Sequence, residues 1–454
     1  MNWNNIISAR RTGDSEDIKD IRSNFQRDYD RLIFSSAFRR LQNKTQIFPL
    51  PGSVFVHNRL THSLEVASVG RSLGKITGDK LCATHNFEAP VADFYRLELQ
   101  NVIASACLAH DIGNPPFGHS GENAISSYFT SNAKTELEGK QLSSIFSEKE
   151  WADLTNFEGN ANSIRVMTKE FKGKSEGGYN LTYTTLASIM KYPCESVASN
   201  KKFINRKKFG FFQTEKERSQ KILQTLNVEE ESTNPLVFKR HPFVYLTEAA
   251  DDICYRIVDF EDAQRLNILS HDNVCDSFLT VIESIGRDNM DKVKSRLDGI
   301  QDKNERTSYL RAKCINVLTI EASELFFNKQ EDILNGTFNY GLIDYIEQSH
   351  EILKEISNIS VEKIYNHETV VQLEIAGYKV MSDLLGLFIP AVLCSSPNLK
   401  EKKILQLIPE QFHVENDNAY EKVMAILDYL SGMTDSYIIE LYRKLFGIEI
   451  PRHL

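Results

Sequence analysis

The 454-residue sequence predicts an all-α protein. Three observations carry that prediction. Gly and Pro number only 22 and 12 while Leu, Ile, Glu, Lys and Ala are plentiful, a composition that favours helix. Apolar residues recur at helical spacing in one segment after another. Only one stretch offers a credible strand pair: Thr45-Gln-Ile-Phe48 and Ser53-Val-Phe-Val56, joined across Pro49-Leu-Pro-Gly52, read as a short β-hairpin near 45–57.

Residues 1–24 are polar and charged and read as a loosely held N-terminal arm. A core then runs over 25–270. Its first helix, 25–41, sets Tyr29, Leu32, Ile33, Ala37, Phe38 and Leu41 on one face and four arginines on the other. A second, 60–76, carries Arg59 and His62 on one face of its first turn. Gly70-Arg-Ser-Leu-Gly-Lys75 mimics a phosphate loop, but the spacing is wrong and Ile76 stands where Ser or Thr is required. The apolar segment 94–109 delivers His110 and Asp111, and Gly113, Pro115 and Pro116 stop it. Another helix starts at Ser120. Residues 131–150 read as a polar loop or weak helix, 157–166 as a capped helix start, and 181–191 as a helix closed by Tyr192-Pro193. An insertion over 195–235 contains the one dense basic and aromatic patch, 201–212. It reads either as a surface that binds single-stranded nucleic acid or a nucleotide effector, or as a solvated loop with anchoring aromatics. The helix 241–266 precedes a C-terminal region, 271–454, of successive helical patterns. No linker separates that region from the core, so a single lobed body is expected.

Chemistry concentrates in Cys107-Leu-Ala-His-Asp-Ile-Gly-Asn-Pro-Pro-Phe-Gly-His-Ser-Gly-Glu122. At a helix end the adjacent His110 and Asp111 can both reach a metal, and His119 and Glu122, three apart, share a face turned back towards it. A coordination sphere can be assembled from His62, His110, Asp111 and Asp251. That mixed nitrogen and oxygen set leaves positions open for water and substrate and suits a divalent ion such as Mn²⁺, Mg²⁺ or Co²⁺, with Ni, Fe and Zn also compatible. Any one of the eleven histidines, taken alone, reads more simply as a packing or surface residue. The grouping at a Gly/Pro-broken helix end sets these apart. Along 241–266, Glu248, Asp251, Tyr255, Asp259 and Asp262 form a polar stripe. It is either a solvated face or, since Ala249, Ala250, Ile253, Cys254, Ile257 and Val258 fill the rest, a buried seam.

The net charge of −9 argues against a protein coated in nucleic acid. No run of about 18 uninterrupted apolar residues predicts a membrane span. Seven cysteines without a CxxC pair, and an N-terminus without a basic-then-apolar signal, point to reduced thiols in a cytoplasm.

The separated His, the His-Asp pair and the distant Asp resemble the HD superfamily of metal-dependent phosphohydrolases. Longer strings are similar to its deoxyguanosine triphosphate triphosphohydrolase (dGTPase) family: Phe38 to Phe48, His57-Asn-Arg-Leu-Thr-His-Ser-Leu-Glu65, the stretch 107–122, Asn156-Phe-Glu-Gly-Asn160, Lys191-Tyr-Pro193, Glu248-Ala-Ala-Asp-Asp-Ile-Cys-Tyr255 and Gly432-Met-Thr-Asp435. The resemblance implies an HD-type helical core whose C-terminal region completes the substrate pocket. It also implies hydrolysis of dGTP, or of other dNTPs, at the α-phosphorus to deoxynucleoside and triphosphate. By it, His62, His110, Asp111 and Asp251 match metal ligands, His119 the catalytic histidine and Glu122 its partner. Asp251 is preferred to Asp252 because Tyr255 and Asp259 then follow on its face, where the family meets the deoxyribose. Gln46 and Arg59 match sugar and phosphate contacts, and Lys191 and Tyr192 triphosphate contacts. Glu374 is a candidate guanine contact outside that set. Relatives assemble as rings, commonly homohexamers, and some respond to DNA or nucleotides at second sites. The rival readings are an HD phosphohydrolase of another nucleotide and a non-catalytic nucleotide-sensing or nucleic-acid-binding assembly.

Overall fold

The reciprocal cap at Asn58 sets the geometry from which the site is built. The Asn58 side chain accepts from the Thr61 amide while the Thr61 hydroxyl accepts from the Asn58 amide, so a helix starts there with Arg59 and His62 in its first turn. The computed structural model describes residues 1–13, 21–48, 56–171, 177–414 and 416–449. The helices that position the site are α1 (Asn24–Ile33), α2 (Arg59–Thr84), α3 (Leu99–Ala109), α4 (His119–Ser131), α5 (Val244–Arg265), α6 (Lys303–Asn328), α7 (Glu368–Leu393), α8 (Ala419–Ser431) and α9 (Asp435–Leu445).

Buried apolar side chains form two clusters. The first joins α1, α2, α3, α5 and α6 through residues such as Val66, Leu73, Ile103, Leu108, Ile253 and Ile257. The second joins α4, α7 and α8 through Ile125, Phe129, Leu384, Phe388, Leu427 and Leu430. Each such side chain contributes about 1.5–3 kcal/mol by leaving water. The boundary falls inside the His-Asp-to-Glu stretch: Ile112 packs in the first cluster and Phe117 in the second.

The helix-rich expectation holds, with local differences. The helix expected at 25–41 breaks where Ser35 caps a new one, Ser36–Arg40, and 343–356 divides into Leu342–Glu347 and Glu351–Ile359. The phosphate-loop mimic lies in the middle of α2. Of the hairpin expected near 45–57, the turn 49–52 and residues 53–55 of the second strand lie outside the described residues. Among the described residues Thr45 forms an antiparallel bridge with Asn58, and its amide donates to the Asp435 carboxylate. Antiparallel pairs occur where none was expected, β1 (Glu136–Leu137) with β2 (Lys140–Gln141) and β3 (Glu230–Thr233) with β4 (Leu236–Phe238). The described part of the arm is docked, not loose. Trp3 and Ile6 are buried, Tyr95 donates to the Trp3 carbonyl, and Arg11 pairs with buried Asp28 at 2.7 Å. In 201–212 the rings of Phe209, Phe211 and Phe212 are buried and cannot stack on bases, while Phe203 is exposed beneath Arg206.

Candidate active site

α2, the end of α3 and α5 bring His62, His110 and Asp251 together, and His110 and Asp251 line a cavity of about 500 Å³. His62 Nε2 and His110 Nε2 lie 3.2 and 3.4 Å from Asp251 Oδ1. These spacings suit one ion: donors about 2.1 Å from a metal are about 3.0 Å apart across an octahedral edge and about 3.4 Å across a tetrahedral one. His110 Nδ1 donates to the Cys107 carbonyl at 2.6 Å, which fixes the tautomer and leaves the Nε2 lone pair facing the cluster. Asp111 stands at the rim, its Oδ2 3.6 Å from His110 Nε2 and 2.6 Å from Arg59 Nη1. Burial opposes a charge on His110, yet Asp111 and Asp251 hold its pKa up to about 9. Burial likewise opposes the Asp251 charge, and Lys191 and His110 overcome it and keep this carboxyl ionised. The carboxylates that favour a proton on His110 would equally favour a bound cation.

The opposite wall is made differently. Phe117 and Gly118 are both left-handed, with φ of 63° and 57°, and lead directly into α4. The positive φ favours glycine at Gly118, and a Cβ there would lie 2.6 Å from Arg59 Nη2 and displace the guanidinium. His119 opens onto the cavity. Its Nδ1 is 2.7 Å from Glu122 Oε2, and Glu122 Oε1 accepts the Gly159 amide at 2.8 Å. The bond and charge of Glu122 raise the His119 pKa above the usual histidine range.

Gln46, Arg59, Lys191, Tyr192 and Tyr255 line the same cavity. Among the described residues, the buried Gln46 Oε1 and Arg59 Nε have no hydrogen-bond partner. Lys191 Nζ lies 2.9 Å from Asp251 Oδ2. Asp259 is set back from the cavity: its Oδ2 accepts from the Tyr365 hydroxyl at 3.1 Å, and the Tyr365 ring stacks on Tyr255 with centroids 5.5 Å apart. The polar stripe of α5 is therefore a partnered seam, buried at Asp259 and Asp262 and open to the cavity at Tyr255. Glu248 takes a bidentate Arg240 and Asp262 takes His57, while Asp251 meets the cluster.

Sequence reasoning missed Lys208, Asn160 and Tyr365, which line the cavity with the unassigned Glu374. Lys208 pairs with Glu158 at 2.9 Å. Its signal was present in the basic-aromatic patch, whose three buried phenylalanines turn the loop inward. Tyr365 sits on a single wide π-type turn, 360–365, which carries no sequence signature.

The HD domain family matches residues 59–195, and the phosphohydrolase-associated domain family matches 344–444. The chain is 37% identical over 99% of its length to the whole of a deoxyguanosinetriphosphate triphosphohydrolase-like protein of Synechocystis, and 34% identical over 99% to the whole of one from Pseudomonas aeruginosa. It is 31% identical to the deoxyguanosinetriphosphate triphosphohydrolase of Yersinia enterocolitica, with 96% of each chain covered. With its His/His/Asp cluster inside an HD domain, the chain belongs to the dGTPase family of the HD superfamily of metal-dependent phosphohydrolases.

Proposed function

We propose that the protein hydrolyses dGTP, alone or among several dNTPs, at the α-phosphorus, releasing deoxynucleoside and intact triphosphate and so controlling dNTP pools. One observation carries this reading: the converging His62, His110 and Asp251 face, across one cavity, a histidine held by a buried carboxylate. His62, His110 and Asp251, with Asp111 at the rim, would hold a divalent ion such as Mn²⁺, Mg²⁺ or Co²⁺. When bound, such an ion polarises a phosphoryl oxygen and lowers the pKa of a water.

The chain's own residues supply the rest. His119, kept protonated by Glu122, gives its proton to O5′ as the bond between that oxygen and the α-phosphorus breaks; water forms the new bond to phosphorus and its proton passes to solvent. Arg59 and Lys191, held at the wall by Asp111 and Asp251, neutralise the triphosphate as it leaves. Lys208 is placed to add a third cation. Tyr255, backed by Tyr365, packs on the sugar edge and leaves no room for a 2′-hydroxyl. Gln46 contacts the sugar, and Asp259 acts through Tyr365. The family resemblance extends the proposal to a cytoplasmic homohexamer, which sedimentation analysis checks.

Incubation with Mn²⁺ and each dNTP is expected to yield triphosphate and deoxynucleoside, with solvent ¹⁸O in the triphosphate. Pyrophosphate as product, or no turnover by metal-loaded protein, would refute the reading.

A further inference from the structure

A single carboxylate joins the two walls of the cavity. Asp435, the first residue of α9, is 3% exposed. Its Oδ2 accepts the Thr45 amide at 2.8 Å and its Oδ1 the Phe117 amide at 3.1 Å. Thr45 belongs to the metal-side wall: Gln46 follows it, and the carbonyl of Lys44 before it accepts the Arg59 amide at 3.2 Å. Phe117 belongs to the other wall, two residues before His119. A left-handed non-glycine residue is strained and persists only where its surroundings over-determine it. Here the C-terminal region does so. Asp435 takes the Phe117 amide, and Gly377 of α7 lies so close to the Phe117 ring that a Cβ would sit 2.4 Å from it. The Ser120 hydroxyl donates to the Glu374 carbonyl at 2.7 Å. Buried Lys44 closes the same seam, its Nζ donating to the carbonyls of Asn114 and Ser431 at 2.5 and 2.8 Å.

We propose that Asp435 is a positioning residue for proton transfer: by holding the Thr45 and Phe117 amides at once, it fixes His119 relative to the His62, His110 and Asp251 cluster. The proposal rests on the reading of His119 as the acid. An asparagine offers one acceptor oxygen and turns an amino group towards the second backbone amide, so Asp435→Asn cannot make both bonds.

The test compares two substrates with Mn²⁺: dGTP, whose alkoxide leaving group needs a proton, and bis(4-nitrophenyl) phosphate, whose leaving group does not. Asp435→Asn is expected to lower kcat for dGTP by about 10- to 100-fold, the scale of a misplacement of about 1 Å, while KM and the aryl diester rate change little. In a His119→Ala background it adds no further loss, because the group it positions is gone. An equal loss on both substrates, or a loss that multiplies with that of His119→Ala, would show a general structural role and overturn the proposal. Wild-type protein inactive on dGTP, or His119→Ala with full turnover, would instead overturn the acid reading and this proposal with it. Asp435→Glu, which keeps both oxygens on a longer arm, undergoes the same comparison if the amide variant does not fold.

Discussion

The two walls of the cavity contrast in how they are held. On the metal side, His62, His110 and Asp251 sit on three helices of one apolar core, and the His62 side chain is 1% exposed. On the side proposed to donate the proton, the His119 side chain is 78% exposed and rests on a left-handed turn, one buried carboxylate and contacts from residues 374–435. The difference is physical. Metal ligands must converge to within tenths of an ångström, which packed helices achieve, whereas a proton donor must meet a solvated substrate and so stands in the open. It follows that the two functions can be separated by mutation.

Breaking the metal side should have the largest effect. Asp251→Ala is expected to abolish turnover and Mn²⁺ binding. It should also destabilise the protein by about 3–5 kcal/mol in urea titrations, because His62, His110 and Lys191 lose their shared carboxylate.

Changes on the donor side should leave metal affinity intact. On the proposed acid role of His119, activity should fall as pH rises through its pKa, which Glu122 raises. Glu122→Gln removes that cause. The descending limb of the kcat profile should move to lower pH, with kcat reduced by about 10- to 100-fold, the usual range for a partner that orients a reacting group. A limb that stays in place would show that Glu122 does not set the His119 pKa.

The smallest effect is expected on substrate binding. Lys208→Ala removes one charge-assisted contact of about 1.5 kcal/mol and should raise KM for dGTP about tenfold with little change in kcat. A fall in kcat at constant KM would place Lys208 in the chemical step.

Much of the metal side was legible in the sequence because helical spacing and breakers are local signals. Asn58 caps α2 so that His62 faces inward, and Gly113 with Pro115 and Pro116 ends the helix that delivers His110. The stripe on α5 was visible as well, although only its packing shows that Glu248, Asp251 and Asp262 each meet a cationic or imidazole partner. What the sequence hid was long-range. Nothing local announces that Asp435, 390 positions away, takes the Thr45 amide. Tyr365 and Lys208 reach the cavity through tertiary packing that no local period reports. The docked arm was missed for the same reason, since two apolar residues, Trp3 and Ile6, outweigh an otherwise polar composition.

Calorimetric titration of Mn²⁺ into His119→Ala, paired with its turnover of dGTP, tests the separation of the two walls most directly. The expected result is wild-type Mn²⁺ affinity with kcat lowered by about 10²–10⁴. Loss of Mn²⁺ binding, or turnover at the wild-type rate, would contradict it.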